Sequence, residues 1–443
     1  MKFRKLGRIA LATAASLFIG FGTQSCYYYT EAYIIVTGSQ YNQVASYREQ
    51  NQTGVLTIAP HSPTSSQGVN PIRSVLLPGG RYVYVLNEGQ PTTDSAGNIH
   101  WAAGESNISL FSIGGDGSLS YQLSYPTEGM GPIRLALSST GTYLYVLDQY
   151  QPGTTSDVTP GSPTQSTATP CYDSTSGLYR PAGDITVFSI DPSTGRLFVV
   201  ENQQQQNSVG SDLPYFPLGC GPIDFHLGSN YLYTAEASDP ATGTSQVVYA
   251  YNTATSGQLI QVPGGAQPVG TSNMAVIGGS QDNKWIYILD NGTNMIYTYT
   301  SGGNGLLSAV SQGAQANLAG VSGMTALTTD NSEKYLYVTN TVSTGLGQTS
   351  SAISIFNIQS TGAPTTWSTS AAGAVDPYPT GSGPQCIFQD PSHQYIYTVG
   401  SVSNQVTGAH FDPNSGTLTV LSHGSTFGTV GTPTWCIYSS NTD

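Results

Sequence analysis

The chain holds few groups able to do ionic or acid–base chemistry, and they recur at matching places. Two strings, NPIRSVLL and GPIRLALS, set an arginine two residues after a proline, giving Arg73 and Arg134. Two guanidinium groups presented alike can bind a carboxylate or phosphate through paired donors, or stabilise charge developing on a carbonyl oxygen. The same place holds Asp224 in GPIDFHLG, Cys386 in GPQCIFQD and Trp435 in TPTWCIYS. Asp224 also offers a plainer role for the arginines, which is to pair with it and tie neighbouring elements together.

A second series closes a recurring aromatic strand. Five residues after the first aromatic of YVYVLN, YLYVLD and their copies stand Gly38, Asn87, Asp148, Glu236, Asp290, Asn340 and Gly400, with Glu88 beside Asn87. Gathered around one mouth, Asp148 or Asp290 would activate water as a general base. Glu88, Asp148, Glu236 and Asp290 would equally offer hard oxygen ligands to Ca²⁺ or Mg²⁺, which would polarise a carbonyl. Asp and Asn also end strands by bonding to nearby backbone, so each has a structural alternative. His226, two residues beyond Asp224, is the histidine placed to act as a base near neutral pH, with ordinary packing as its alternative. The histidines show no metal spacing, and the chain has no GxSxG, phosphate loop or EF-hand loop.

These residues need a frame that presents them together. The aromatic strand begins at residues 33, 82, 143, 231, 285, 335 and 395, at spacings of 49, 61, 88, 54, 50 and 60. Each copy sits in a unit of four short strands parted by turn signals such as PGG, GGDG and DPSTG, and period-two alternation runs through them. Repeats of this length and content predict an all-β fold, a seven-bladed β-propeller of four-stranded antiparallel blades over residues 31–440. The chain opens on a second-strand type, YIIVT, and ends on an unpaired first-strand type, TPTWCIYSS. The C-terminal strand is therefore expected to complete the N-terminal blade and close the ring. The first-to-second and third-to-fourth connections are tight and share one face. The others carry insertions at 88–106, 149–183 and 201–219 and share the opposite face, where binding or catalysis is expected.

Residues 1–25, with Lys2, Arg4, Lys5 and Arg8 ahead of an apolar small-residue run, read as an export signal too short to span a membrane. TQSC makes Cys26 a candidate lipidated N-terminus, although Thr23 stands where such sites prefer Leu; ordinary cleavage nearby is the alternative. The destination is the periplasm, a lipid-anchored place at the outer membrane, or secretion. Cleavage before Cys26 leaves eight basic residues against 25 acidic ones, a formal charge of −17. That field excludes nucleic acid as a partner. An exported chain permits disulfides, and the positions of the remaining cysteines suggest Cys171–Cys220 and Cys386–Cys436. A monomer is expected.

Aligned in this way, GPIRLALSSTGTYLYVLD, DITVFSIDPSTGRL, GPQCIFQDPSHQYIYTV and VTGAHFDPNSGTLTVL resemble the seven-bladed β-propeller lactonase family, which includes 6-phosphogluconolactonase-like proteins. The resemblance spans roughly residues 31–440. It implies hydrolysis or formation of sugar or dicarboxylate lactones, with a small-molecule lactone as partner. The family often has histidine where this chain has Arg73, Arg134, Asp224 and Cys386. The alternative is a non-catalytic propeller that binds an extracytoplasmic protein, glycan or surface polymer through its long-loop face, for which abundant Tyr, Asn, Gln and Ser are suited.

Overall fold

The computed structural model describes residues 29–93, 99–100, 106–152, 171–173, 178–180, 182–238, 245–253, 256–264, 266–280, 282–344, 350–368 and 374–440. The expected export signal and Cys26 lie outside them. Among the described residues no helix is long and apolar enough to cross a membrane.

The strands form seven antiparallel four-stranded blades. Their innermost strands are Pro433–Ser440 in blade 1, Pro71–Leu76, Met130–Leu137, Phe216–Leu227, Met274–Gly279, Val321–Thr329 and Pro384–Gln389 in blade 7. The aromatic repeats lie next outward: Thr30–Gly38, Tyr82–Asn87, Tyr143–Tyr150, Tyr231–Ser238, Trp285–Asp290, Tyr335–Ser343 and Tyr395–Gly400. Pro433–Ser440 pairs with Thr30–Gly38, from Ala32 opposite Ser440 to Gly38 opposite Pro433. The two ends of the chain thus share blade 1, and the ring is closed.

Alternation puts successive side chains on opposite faces of a blade, and a propeller buries both. In blade 2, Tyr84 and Leu86 join a cluster with Leu144, Val146 and Phe188 of blade 3. Val83 and Val85 join Ile35 and Val44 of blade 1 instead. All four are fully buried.

The Tyr-x-Tyr pattern has a further cause, visible only between blades. The first aromatic of each second strand covers a glycine in the third-to-fourth turn of the next blade. The pairs are Tyr33 on Gly117, Tyr82 on Gly195, Tyr143 on Gly257, Tyr231 on Gly305, Trp285 on Gly362, Tyr335 on Gly416 and Tyr395 on Gly54. Each of these glycines has positive φ, between 64° and 86°, and a Cβ there would lie 3.0 Å or less from the ring. The turn therefore demands glycine twice, for its backbone and for the ring above it. Two residues on, the next tyrosine donates to the same glycine's carbonyl: Tyr84 to Gly195 at 2.7 Å, Tyr337 to Gly416 at 2.8 Å and Tyr397 to Gly54 at 2.8 Å. The last of these pins blade 7 to blade 1.

Candidate active site

Every inner strand carries a register shift against its neighbour at the matching place, just after the proline or, in blades 5 and 6, the methionine of its repeat. A β-bulge there adds one unpaired residue and re-aims it. The seven extra residues are Thr434, Ile72, Ile133, Ile223, Ala275, Thr325 and Gln385, and all seven line one cavity of about 650 Å³ at the channel mouth. Blades 2 to 5 give that wall an apolar half, while blades 6, 7 and 1 give it amide and hydroxyl groups. Sequence reasoning missed this set, because a bulge leaves no mark in a period of two.

In blades 2, 3 and 4 the next residue of the inner strand supplies the charge, as Arg73, Arg134 and Asp224. The Arg73 guanidinium carbon lies 3.9 Å from the Trp435 ring centre, and that of Arg134 lies 5.3 Å from it. Both guanidinium groups thus meet one indole face region, an attractive arrangement for cations. Arg134 Nε is 3.2 Å from Asp224 Oδ1. Asp224 also accepts from the Phe225 N–H at 2.9 Å and from the Ile277 N–H of blade 5 at 3.1 Å. Arg134 is therefore held in place. Arg73 is not: its Nε is buried with no hydrogen-bond partner among the described residues. Burial, then the charge of Arg134, pull its pKa down to about 9 against the opposing charge of Asp224. Two cations beside one carboxylate leave room for an anion.

On the same wall, Asn70 Nδ2 donates to Glu88 Oε2 at 2.6 Å. Burial raises the Glu88 pKa, partly offset by that bond. Burial and then the Glu88 charge raise the Tyr150 pKa. Glu88, Gln149 and Tyr150 all face the cavity.

The acids that end the second strands do not. Asp148, Glu236 and Asp290 are fully buried inside separate blades, where each clasps the segment arriving at the inner strand. Asp290 accepts from the Ser272, Asn273 and Gly292 N–H groups and from Thr293 Oγ1. Glu236 Oε1 accepts from Thr234 Oγ1 at 2.8 Å, and a Cβ on Gly219 would meet Glu236 Oε2 at 2.1 Å. Asp148 takes a bond from Thr186 Oγ1 at 3.2 Å and sits under Gly129. Asn87 and Asn340 fill the same role with amide networks. Neither Asp148 nor Asp290 is thus placed to activate water in the mouth. Glu88, Asp148, Glu236 and Asp290 do not converge, and among the described residues no three His, Cys, Asp or Glu could hold a metal ion. A usable signal was present: Gly68, Gly129 and Gly219 each precede an inner-strand proline by three residues and vacate the space these side chains fill.

His226 is also separated from the mouth. It lines a different cavity, at the tight-turn face. Burial and the Arg134 charge lower its pKa to about 4. Cys386 and Cys436 are disulfide-bonded with Cα atoms 5.8 Å apart, joining blade 7 to the closing strand. Cys220 is disulfide-bonded as well; the side chain of Cys171 lies outside the described residues.

Fold and mouth together define a closed seven-bladed β-propeller with an arginine pair at one end of its channel. The family model for Lactonase, 7-bladed beta-propeller, matches residues 222–434, so over that stretch the chain is similar to the lactonase-family propellers. Among solved structures it is similar to a periplasmic gluconolactonase of Pseudomonas aeruginosa, at 16% identity and TM-score 0.62, covering 92% of this chain and 99% of that one. A Bacteroides fragilis protein proposed to be a 6-phosphogluconolactonase matches at 16% identity and TM-score 0.61, covering 92% and 98%. A Lactobacillus plantarum protein matches at 14% identity and TM-score 0.61, covering 93% and 99%. At these identities the structures share the fold. No curated protein matches the sequence.

Proposed function

We propose that the protein is an exported hydrolase that opens a carboxylate-bearing lactone in the mouth cavity. The observation that carries this reading is Arg73, a guanidinium stacked on Trp435 whose buried Nε has no partner among the described residues. A substrate carboxylate supplies that partner. The isoleucines at 72, 133 and 223 suit a hydrocarbon ring face better than a polyol, whose hydroxyl groups they would leave unpaired. Arg134, fixed by Asp224, stabilises charge on the carbonyl oxygen as water adds. Glu88, turned by Asn70, takes the proton of that water. The ring C–O bond then breaks, the leaving oxygen takes up a proton, and a hydroxy acid results.

Proton release on a panel of sugar and dicarboxylate lactones tests this, with and without Ca²⁺ and Mg²⁺. Arg73→Ala and Arg134→Ala should each lower kcat/KM by roughly 100-fold while keeping the melting curve. Because Arg73 loses its charge near pH 9, KM for a carboxylated lactone should rise above that pH. No turnover on any lactone, with the fold intact, would sink the hydrolase reading and favour a non-catalytic binding role for the long-loop face.

A further inference from the structure

The tight-turn face holds a second cavity, of about 460 Å³, between blades 4 and 5. Its origin is readable in the inner strands. His226 stands four residues after its opening proline, where blades 2, 3, 7 and 1 carry Val75, Ala136, Phe388 and Ile437. The facing strand of blade 5 ends in Gly278 and Gly279. A Cβ on Gly279 would lie 2.4 Å from His226 Cε1 and Nε2, so the glycine is what admits the imidazole. A polar ring and a missing side chain thus replace the apolar filling of those four strands. The Asn283 side chain, from a residue at φ 57°, bonds the imidazole, and His226 Nε2 is left buried without a partner among the described residues.

The rest of the described wall is uncharged and mostly polar, with Ile286 as its one aliphatic side chain. Asn230, Asn252 and Ser301 present amide and hydroxyl groups, and Tyr231 contributes a ring whose hydroxyl donates to Gly303 O at 3.0 Å. Among the described residues, no Asp, Glu, Lys or Arg lines the cavity. His226 stays neutral at physiological pH. A cation finds no carboxylate there, and an anion finds no cation within an acidic protein. Amides and hydroxyls, each offering donor and acceptor, match a ligand rich in hydroxyl groups, and the volume suits a small molecule.

We propose that this cavity binds a neutral sugar unit, on the face opposite the lactone mouth. The two sites use separate residues, so either can fail without the other. Such a ligand would seat the propeller on a neutral glycan with its mouth turned outward.

Saturation-transfer NMR on the purified protein tests this, with glucose, galactose, mannose and N-acetylglucosamine as probes and glucuronate as the charged control. At least one neutral sugar should show transfer, and glucuronate should show none once Arg73→Ala has removed the anion site of the mouth. Asn252 is exposed, so Asn252→Ala should preserve the melting curve while weakening binding by roughly tenfold. His226→Leu should weaken it as well, and Arg73→Ala should leave it unchanged. The proposal is overturned by no transfer from any neutral sugar, by binding that survives both Asn252→Ala and His226→Leu, or by binding lost in Arg73→Ala.

Discussion

Asp148 and Asp184 face each other across blade 3 as strand partners, both fully buried. Burial raises both pKa values; the charges of Asp148 and Glu128 raise Asp184 further, while bonds from Thr127, Thr186 and Gly129 only partly restrain Asp148. The folded pair therefore holds protons that the unfolded chain has released. Stability should fall as pH rises from about 4, the unfolded carboxylate range, through neutrality. Each group contributes up to about 1.4 kcal/mol per pH unit in that window. His226 opposes this between pH 6.5 and about 4, since its folded form resists protonation. Denaturant titrations from pH 4 to 8 should show Asp184→Asn gaining stability over the parent at pH 8, with little difference near pH 4. An equal effect at both pH values would mean the pair is not protonated in the fold.

At the scale of strands and turns, the glycine under each aromatic ring is the sharpest liability. Gly416→Ala places a Cβ 2.5 Å from the Tyr335 ring at φ 72°. It should destabilise by at least about 2 kcal/mol, whereas Tyr337→Phe, which loses one hydrogen bond, should cost about 1 kcal/mol. Comparable losses would assign the latch to the hydroxyl instead of the turn. The tyrosine strands, the blade count and the sorting of loops by face were legible because each repeats seven times. So were Arg73, Arg134 and Asp224, through their shared distance from a proline. What stayed hidden was direction. Five residues along a strand does not say whether Asp148 turns into the blade or the mouth, and only the vacancy at Gly129 decides it. Nothing in the sequence marks Ile72 and Ile133 as cavity residues, because a bulge alone turns them into the cavity.

For the whole ring, the Cys386–Cys436 bond ties the closing strand to the last blade across a separation of 50 residues. Replacing both cysteines with serine should lower unfolding stability by about 2–4 kcal/mol, and adding reductant to the parent should reproduce much of that loss. A variant as stable as the parent would show that blade 1 closes by strand pairing alone. The tyrosine latch from Tyr397 to Gly54 works at the same seam without covalent help.

That seam also sets a timetable. Thr30–Gly38 meets its inner partner only when Pro433–Ser440 arrives, some 400 residues later in the chain. During vectorial synthesis or passage across a membrane, the first blade waits with one strand edge bare while six others form beside it. An exposed edge invites pairing with a foreign strand. A nonsense codon anywhere before residue 433 would remove the inner strand of blade 1 and leave a propeller that cannot shut.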